Sequence, residues 1–600
     1  MKLRKPHSLF ITLTVLASLM AVNFVLPARA ENPPRKILTG WIPYYRTFSS
    51  PGKTNGGLDS ALNNRDLIKE VMPFWYQLDS ATKIEDLYTP ANPSKPIADA
   101  LNQLKLAGYS IIPTLTDGTS SRDAATGKMR TLTLSSLIAD TSGRDTVSST
   151  IVDFVLKNNF DGIDLDFENF AFIDPNTSWD TTKIRWIAFI KVLANKLHAN
   201  NKVLSMTTPV AFDPTSGKKG YYVYAWQEVA SDIDRLRIMT YDYSTSAPGP
   251  IGPITWVEQA VQWATKVMPA SKVFIGLPGY GRDWVTAVSG VCPYTPINYT
   301  SSVKVGASAS TFVMRDAASL AQANNATPVY QAKFGESTFT YQKTYSGYTS
   351  TGLATQCTAT RVAWFQDAQS FALRAGLVAK YRLGGVTQWT LGMEDPAATE
   401  SIRAIAKSIA PDVINALLSS SVLTITYGEP VTLTGTFSLQ DKSPLQSVEA
   451  KAEFSQASNN GAWSPLASLL TQSNGVIPLS VIFSENTRAR VSTDATWERL
   501  ASQSSELTIS VARRITWKSL PNFAERNQPF VLTGLVEPGE KVLVTIEGDS
   551  SNQTIASDST GHFSVTLLEK NPGLLKVRAK IASDSRFVAS TSEFVTVLIR

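Results

Sequence analysis

Four acidic residues within eight positions could do chemistry in this 600-residue chain: Asp161, Asp164, Asp166 and Glu168. If this run is a β-strand, Asp164, Asp166 and Glu168 lie on one face, because successive side chains point to opposite faces. Neighbouring carboxyls would then lie roughly 6–7 Å apart, and like charges at that distance resist ionising together. The pattern predicts that one carboxyl stays protonated near neutral pH, which is a requirement of acid-catalysed glycosidic bond cleavage.

Two other interpretations of these acids stay open. Alternating carboxylates can supply oxygen ligands for calcium, but an EF-hand loop would place Gly at its sixth position, where this chain has Asn169. A strand end with solvated acids is the other alternative. The large apolar residues between the acids, Ile163, Leu165 and Phe167, argue against it because they need a covering layer.

The acidic run resembles the D-x-x-D-x-D-x-E signature of glycoside hydrolase family 18, the chitinase-like enzymes. Residues 239–242, Met-Thr-Tyr-Asp, are similar to the family's M-x-Y-D on barrel strand 6, and residues 275–281 are similar to its G-x-P-x-Y-G on strand 7. Gln388 and Trp389 resemble the end of strand 8. The resemblance covers residues 36–408 and implies a catalytic barrel there.

The resemblance also implies how the acids share the chemistry. Glu168 would be the general acid and then the general base, while the substrate's own 2-acetamido oxygen attacks the anomeric carbon. Asp166 would accept the acetamido N–H, and Asp164 would tune Asp166 through a shared proton. Tyr241 would hydrogen-bond the acetamido oxygen. These four residues are the predicted catalytic set.

Further residues are expected to bind the substrate. Trp389 would form an apolar floor under the sugar ring, since the face of an aromatic ring suits a pyranose. Asp161 has the opposite parity along the strand, which favours a structural role within the signature. The predicted substrate-binding residues are Asp161, Met239, Asp242, Trp389, Tyr44 and Tyr45.

The N-terminus has the pattern of a secretory leader. A basic start is followed by an apolar stretch over residues 9–26 and an A-x-A cleavage site at residues 28–30. The pattern predicts a signal peptide over residues 1–30 and a secreted, cell-surface or cell-wall location, with an uncleaved membrane anchor as the alternative. Removing the leader lowers the formal charge from +6 to +2, so neither nucleic acid nor an anionic membrane is indicated as a partner.

Two cysteines and three histidines limit the other chemistry. In an exported protein, the even pair Cys292 and Cys357 predicts a disulfide, and two free buried thiols are the alternative. His7, His198 and His562 are too scattered in sequence for a metal site. We therefore expect neither a metal nor a cofactor.

Short β runs alternate with helical patterns over residues 36–408. Eight such units predict a parallel α/β fold, a TIM (β/α)8 barrel with its chemistry at the carboxyl ends of the strands. A small α+β insertion is predicted at about residues 282–361, between strand 7 and its helix. By resemblance, this insertion would build one wall of a substrate groove, and a long decorative loop is the alternative.

The composition changes after Pro411, where helical patterns stop and Ser, Thr and Val dominate. Pro-Val-Thr-Leu-Thr-Gly at residues 430–435 recurs as Pro-Phe-Val-Leu-Thr-Gly at residues 529–534. This repeat predicts two all-β immunoglobulin-like sandwich modules, at residues 421–512 and 513–600.

Together, these features predict a secreted, monomeric, retaining β-N-acetylglucosaminide hydrolase whose partner is chitin, chito-oligosaccharides or another N-acetylglucosamine-containing polysaccharide. Peptidoglycan is the alternative substrate, because residues 239–243 and 276–281 also resemble the cell-wall N-acetylglucosaminidase branch. A non-catalytic polysaccharide-binding protein or a surface adhesin is the alternative of another class. In an adhesin the C-terminal modules would bind, with Trp463 and Trp497 as candidate stacking residues that could equally belong to the core.

Overall fold

The computed structural model divides the chain into two compact units. One is Pro33–Pro411, and the other contains Asp412–Arg600. The predicted signal peptide at residues 1–30 lies outside the described residues. The structure describes residues 32–49, 55–118, 120–122, 129–131, 134–218, 220–294, 303–306, 309–548 and 552–600.

Eight parallel strands close into a barrel in the unit Pro33–Pro411. Each strand pairs with the next, and strand 8 pairs with strand 1, which completes the ring of a TIM barrel. Strands 2 and 3 are each interrupted once, and their two segments pair separately. The strands are Leu38–Pro43 (strand 1), Ile68–Phe74 with Tyr76–Ser80 (strand 2), Ser110–Ile111 with Thr114–Thr116 (strand 3), Gly162–Asp166 (strand 4), Val203–Thr208 (strand 5), Arg235–Ile238 (strand 6), Val273–Pro278 (strand 7) and Gly385–Trp389 (strand 8).

Helices alternate with these strands along the chain. Asp140, Asp367 and Asp395 each begin a helix by accepting a hydrogen bond from a first-turn N–H. No helix among the described residues is long and apolar enough to span a membrane. The longer helices are Ile97–Leu106, Thr141–Lys157, Trp179–His198, Ile254–Val267, Ala368–Tyr381 and Pro396–Ser408, and the shorter ones are Gly57–Asn63, Tyr88–Ala91, Leu134–Leu137, Asn169–Phe172 and Ala317–Ala323.

Strand 4 carries the acidic run, and all five of its residues are buried. Its apolar residues, among them Ile163, point away from the carboxyls, as the alternation of a strand requires. Gly162 begins the strand where the neighbouring strand passes very close. A Cβ added there would lie 2.3 Å from the carbonyl oxygen of Val203, so only glycine fits.

The insertion between strand 7 and the helix Ala368–Tyr381 is an antiparallel five-stranded sheet with one short helix. It is longer than the predicted 282–361, because its two central strands pair from Arg282 opposite Trp364 to Gly290 opposite Cys357. Cys292 and Cys357 are joined by a disulfide, as predicted, with Cα atoms 4.7 Å apart. The strands are Tyr280–Gly290, Ser310–Val313, Val329–Gln331, Glu336–Tyr348 and Ala354–Phe365.

The unit containing Asp412–Arg600 consists of two modules with the same strand order. In each module a three-stranded sheet faces a six-stranded sheet across an apolar core. The first module begins before the predicted boundary at 421, because Ile414–Ser420 pairs with the strand Pro430–Leu439, from Ile414 opposite Leu439 to Ser420 opposite Leu433. Its strands are Ile414–Ser420, Thr424–Thr426, Pro430–Leu439, Glu449–Gln456, Ser464–Leu470, Val476–Ile482, Thr487–Thr493, Ser502–Gln503 and Leu507–Ala512.

The second module repeats this arrangement strand for strand. The predicted sequence repeat falls on equivalent strands, Pro430–Leu439 and Pro529–Glu537, each the centre of its three-stranded sheet. The strands of the second module are Arg514–Ser519, Phe523–Ala524, Pro529–Glu537, Leu543–Gly548, Asn552–Ala556, His562–Leu568, Gly573–Ile581, Ser590–Thr591 and Val595–Ile599.

One residue of the second module completes the core of the first. Phe587 is fully buried among the core residues of the first module. The guanidinium carbons of Arg513 and Arg586 lie 4.0 and 5.2 Å from its ring centroid. The amide of Val588 also donates to the carbonyl of Val511 at 2.9 Å. These contacts join the two modules through apolar, cation–π and backbone interactions together.

Candidate active site

The carboxyl ends of the barrel strands surround a space of about 530 Å³, which we call the central cavity. Side chains far apart in sequence meet there because parallel strands present their carboxyl ends at one face of the barrel. The predicted site residues that line it are Tyr45, Asp166, Glu168, Met239, Tyr241, Asp242 and Trp389.

Asp164 is fully buried inside the barrel. Its carboxylate accepts hydrogen bonds from Ser205 Oγ at 2.6 Å and from Thr114 Oγ1 at 2.8 Å. Thr207 Oγ1 lies 3.0 Å from both carboxylate oxygens, and Trp41 Nε1 donates at 3.3 Å. This fixed set of donors holds Asp164 in one orientation next to Asp166.

A buried guanidinium compensates the negative charge in the barrel. Arg237 Nε lies 3.7 Å from Asp164 Oδ1, and its Nη2 lies 2.7 Å from Glu70 Oε2. Burial alone would raise the pKa of Glu70, but the positive charges of Arg237 and Arg235 lower it to about 2. Sequence reasoning missed Arg237 and Glu70, because one charged residue in a short strand carries no signal of its partner.

Buried Asp166 and half-buried Glu168 form a hydrogen-bonded pair of carboxyls. Burial raises the pKa of Glu168 to about 7, although the hydrogen bond to Asp166 lowers it and the charge of Asp242 raises it. Burial also raises the pKa of Asp166 well above its ordinary value, and the charge of Glu168 adds to that. The pair therefore retains a proton near neutral pH. Asp166 Oδ1 is buried and has no hydrogen-bond partner among the described residues.

Asp117 is a fourth buried carboxyl in the site, and sequence reasoning missed it. It follows strand 3, and its two carboxylate oxygens accept the backbone N–H groups of Glu168 and Asn169, each at 2.9 Å. Burial raises its pKa to about 7 despite these hydrogen bonds, and the charge of Glu168 contributes. Asp117 thereby fixes the backbone from which Glu168 projects. Its only sequence signal was an acid at a strand end.

Tyr241 and Asp242 occupy the wall next to the acidic pair. Burial raises the pKa of Tyr241 well above its ordinary value, so its hydroxyl keeps its proton. Asp242 Oδ1 accepts a hydrogen bond from Tyr280 Oη at 2.5 Å and from Arg282 Nη2 at 2.6 Å. Because Tyr280 and Arg282 belong to the inserted sheet, the insertion contributes directly to this wall.

Trp389 ends strand 8 and lines the central cavity. Its ring makes edge contacts with Phe74, at 4.9 Å between centroids, and with Trp41, at 5.8 Å. These contacts hold the indole in place at the cavity wall. Trp389 therefore occupies the position expected of an aromatic platform for a sugar.

Two predicted substrate-binding residues lie away from the central cavity. Asp161 precedes strand 4, at the opposite end from Glu168, and accepts the backbone N–H of Ile111 at 2.8 Å. This geometry gives it a structural role. Tyr44 does not line the cavity, and its ring packs edge-on against Tyr45 with centroids 5.1 Å apart. No group of three or more His, Cys, Asp or Glu residues in the described part of the chain is arranged to hold a metal ion.

A second cavity of about 400 Å³ lies on the other side of Glu168. It shares Glu168, Met239, Tyr241 and Asp242 with the central cavity, so the two spaces adjoin at the carboxyl. Its remaining wall is largely apolar and aromatic. That wall includes Phe172, Val210, Phe212, Tyr221 and Trp256.

Known proteins resemble this chain over the barrel unit. It is 24% identical over 333 residues to the putative sporulation-specific glycosylase YdhD of Bacillus subtilis, which covers 55% of this chain and 70% of that protein. It is 24% identical over 262 residues to the cortical fragment-lytic enzyme of Bacillus subtilis, and that match covers 43% of this chain and 53% of that protein. It is 25% identical over 280 residues to chitotriosidase-1 of Mus musculus, and that match covers 43% of this chain and 55% of that protein.

Solved structures of similar proteins include a chitinase from Chromobacterium violaceum, with a TM-score of 0.46, 22% identity and coverage of 62% of this chain and 98% of that one. The spore cortex-lytic enzyme SleL of Bacillus megaterium has a TM-score of 0.46 and 18% identity, and the match covers 62% of this chain and 74% of that one. Residues 126–394, which include strands 4 to 8 and the acidic run, match the family described as glycosyl hydrolases family 18. Over residues 126–394, the chain belongs to glycosyl hydrolases family 18.

Proposed function

We propose that this glycoside hydrolase is a retaining β-N-acetylglucosaminidase that acts on chitin or chito-oligosaccharides by substrate-assisted catalysis. One observation carries the proposal. The hydrogen-bonded pair Asp166 and Glu168 holds a proton, and the free oxygen of Asp166 is available beside a tryptophan-walled cavity. A protonated carboxyl next to a carboxylate oxygen that can accept a hydrogen bond suits a sugar that carries an amide N–H.

In the first step, the O–H of Glu168 donates its proton to the glycosidic oxygen as the bond from that oxygen to the anomeric carbon breaks. The substrate's acetamido carbonyl oxygen forms a bond to the anomeric carbon and gives an oxazolinium ion. Asp166 accepts the acetamido N–H and stabilises the positive charge that develops there. Tyr241, which keeps its proton, donates a hydrogen bond to the acetamido oxygen.

In the second step, Glu168 is a carboxylate and accepts a proton from water. The water oxygen bonds to the anomeric carbon from the side that the leaving group vacated, and the bond to the acetamido oxygen breaks. The anomeric configuration is therefore retained, and Glu168 regains its proton.

The two cavities divide the substrate between them. Trp389 and the acetamido-binding groups lie in the central cavity, which would hold the sugar that is attacked. Glu168 borders both cavities, so the bond it protonates lies at their junction. The leaving-group sugar would then enter the second cavity, against Phe172 and Tyr221, whose ring centroids lie 5.2 Å apart.

A Glu168→Gln variant tests this assignment. We expect chito-oligosaccharide cleavage to fall by about 10³-fold or more, because the amide cannot deliver the proton. Asp161→Asn is the matched control, since Asp161 belongs to the same acidic run but lies outside the cavity, and its activity should stay close to wild type. Chromatography of the products measures the cleavage rate of each variant. Equal rates for wild type and Glu168→Gln would remove Glu168 from the acid role.

Peptidoglycan is the second candidate substrate. Two of the similar proteins are named as a sporulation-specific glycosylase and a cortical fragment-lytic enzyme, which favours a cell-wall glycan with the same N-acetylated sugar. Incubation with chitin and with peptidoglycan, followed by identification of the released reducing end, separates the two. Products from peptidoglycan alone would replace chitin as the substrate.

We also propose an extracellular or cell-wall location for this protein. The disulfide between Cys292 and Cys357 supports an oxidising compartment. Binding of the C-terminal modules to glycan is a further candidate role, and Trp463 is a weak anchor for it because Arg490 lies 4.0 Å over its ring. Pull-down of residues 412–600 on chitin and on peptidoglycan tests it, and binding by the barrel unit alone would contradict it.

A further inference from the structure

A groove of about 370 Å³ adjoins the second cavity on the surface of the barrel unit. Phe212 lines both spaces, so they adjoin at this residue. The groove continues past Phe212 along the helix Ile254–Val267, where Gln259 and Trp263 form part of its wall. A ligand that leaves the second cavity past Phe212 therefore meets this groove next.

The helix Ile254–Val267 presents two tryptophans on the side away from the barrel core. Its buried residues, Val257, Ala260, Val261 and Ala264, form one face. At 100° per residue, Trp256 and Trp263 lie together on a different face, and two helical turns separate them by about 10 Å. Trp256 lines the second cavity and Trp263 lines the groove. Their spacing is close to the length of a β-1,4-linked disaccharide.

The groove has the chemistry of a carbohydrate surface. Trp263 supplies an aromatic ring, and Lys266 Nζ lies over that ring at 5.6 Å from the centroid, farther than Arg490 lies from Trp463. Gln259 and Gln262 supply amide donors and acceptors for hydroxyl and acetamido groups. Its charged residues are Asp213, Lys218 and Lys266, and Lys266 pairs with Asp213 at 2.7 Å. The groove therefore combines an aromatic ring and two amides with a small net positive charge.

We propose that the groove lined by Phe212, Gln259 and Trp263 binds the part of an N-acetylated β-1,4-glycan that extends beyond the leaving-group sugar. This inference rests on the proposed function, because it uses the direction in which the substrate crosses Glu168. The groove holds long chains and leaves short substrates unaffected. It thereby favours cleavage within a polymer over cleavage of short fragments.

Binding and cleavage of chains of increasing length test the groove. In a Glu168→Gln background, the affinity for chito-oligosaccharides should rise as the chain lengthens past the second cavity, measured by calorimetry. Trp263→Ala should abolish that rise and weaken the longest ligand by about three- to tenfold, the effect of one lost aromatic contact. Trp263→Phe should restore most of the rise in affinity with chain length. With Glu168 intact, Trp263→Ala should cleave the shortest substrate at the wild-type rate and a long soluble polymer several-fold less efficiently.

Tyr348→Ala is the matched control, because Tyr348 is an aromatic residue with 64% exposure in the inserted sheet, away from the groove. It should leave the length dependence unchanged, and thermal unfolding should show that every variant is folded. Length-dependent binding that survives in Trp263→Ala would overturn the groove while leaving the proposed function intact. Length-dependent binding that needs Trp263 in a protein whose wild type cleaves nothing would support the groove and overturn the proposed function. If wild type neither binds nor cleaves these glycans or peptidoglycan strands, both proposals fail.

Discussion

The role proposed for Glu168 requires a protonated carboxyl near neutral pH, where a glutamic acid is ordinarily ionised. The structure achieves this mainly by burial, which removes water from the carboxyl, and partly through the charge of Asp242. The backbone of Glu168 is fixed at the same time by Asp117. The same residue can therefore keep its proton and hold its direction.

The pH dependence of kcat/KM follows from this pKa. Because the raised pKa of Glu168 is about 7, the acid form is present below pH 7 and is lost as the pH rises through that value. We expect kcat/KM for a chito-oligosaccharide to fall with increasing pH, approaching tenfold per pH unit well above pH 7. Initial rates between pH 5 and pH 9 measure this.

Circular dichroism at each pH provides the control, because unfolding at alkaline pH would also lower the rate. A folded enzyme whose kcat/KM stays constant up to pH 9 would show that the group that donates the proton has a far higher pKa than Glu168.

At the scale of elements, the inserted sheet is part of the site. Its first strand supplies Tyr280 and Arg282, which hold Asp242 in the cavity wall. The far ends of its two central strands are joined through Cys292 and Cys357. The stability of this sheet therefore bears on the geometry of the wall.

Replacing both cysteines, as Cys292→Ser with Cys357→Ser, should destabilise the insertion. The disulfide spans 65 residues, and closing a loop of that length stabilises by up to about 4 kcal/mol on the chain-entropy model. We expect the double variant to unfold at a lower temperature than wild type under oxidising conditions, as measured by calorimetry. Reductant should lower the midpoint of wild type and leave the variant unchanged. Identical midpoints in oxidising buffer would show that the disulfide adds no stability.

At the scale of the whole molecule, the chain consists of a catalytic barrel unit and a unit with two repeated modules. The modules are linked through Phe587, whose ring completes the core of the module before its own. Ion pairs of Arg513 with Asp584 at 2.8 Å, and of Arg586 with Glu485, surround this ring. The two modules are therefore expected to unfold together.

Phe587→Ala tests that connection. Removing a fully buried phenylalanine ring typically destabilises by about 3–5 kcal/mol, and here the cavity would lie in the first module. We expect the calorimetric transition of the C-terminal unit to move to lower temperature and to split in two. Phe594→Ala is the matched control, because Phe594 is 54% exposed and lies beside Arg578, at 4.7 Å. Equal shifts for both variants would contradict a special role for Phe587.

The sequence by itself determined the local features. A period of two predicted Asp164, Asp166 and Glu168 on one face of a strand. The strand contains Asp164 and Asp166, and Glu168 follows its end by two residues. Alternating β and helical patterns indicated the barrel. The repeat of residues 430–435 at residues 529–534 indicated two equivalent modules, because Pro, Leu, Thr and Gly recur in the same order and spacing. These predictions need only a few neighbouring residues at a time.

Only the tertiary structure decided which side chains meet. Closing the barrel brings Asp117 from strand 3 and Arg237 from strand 6 next to the acids of strand 4, and the insertion adds Arg282. Pairing of strands 3 and 4 also gives Asp161, which precedes strand 4, a partner away from the cavity in the N–H of Ile111. Hydrogen bonds and burial act through space between residues that are far apart in the chain, so no local pattern records them.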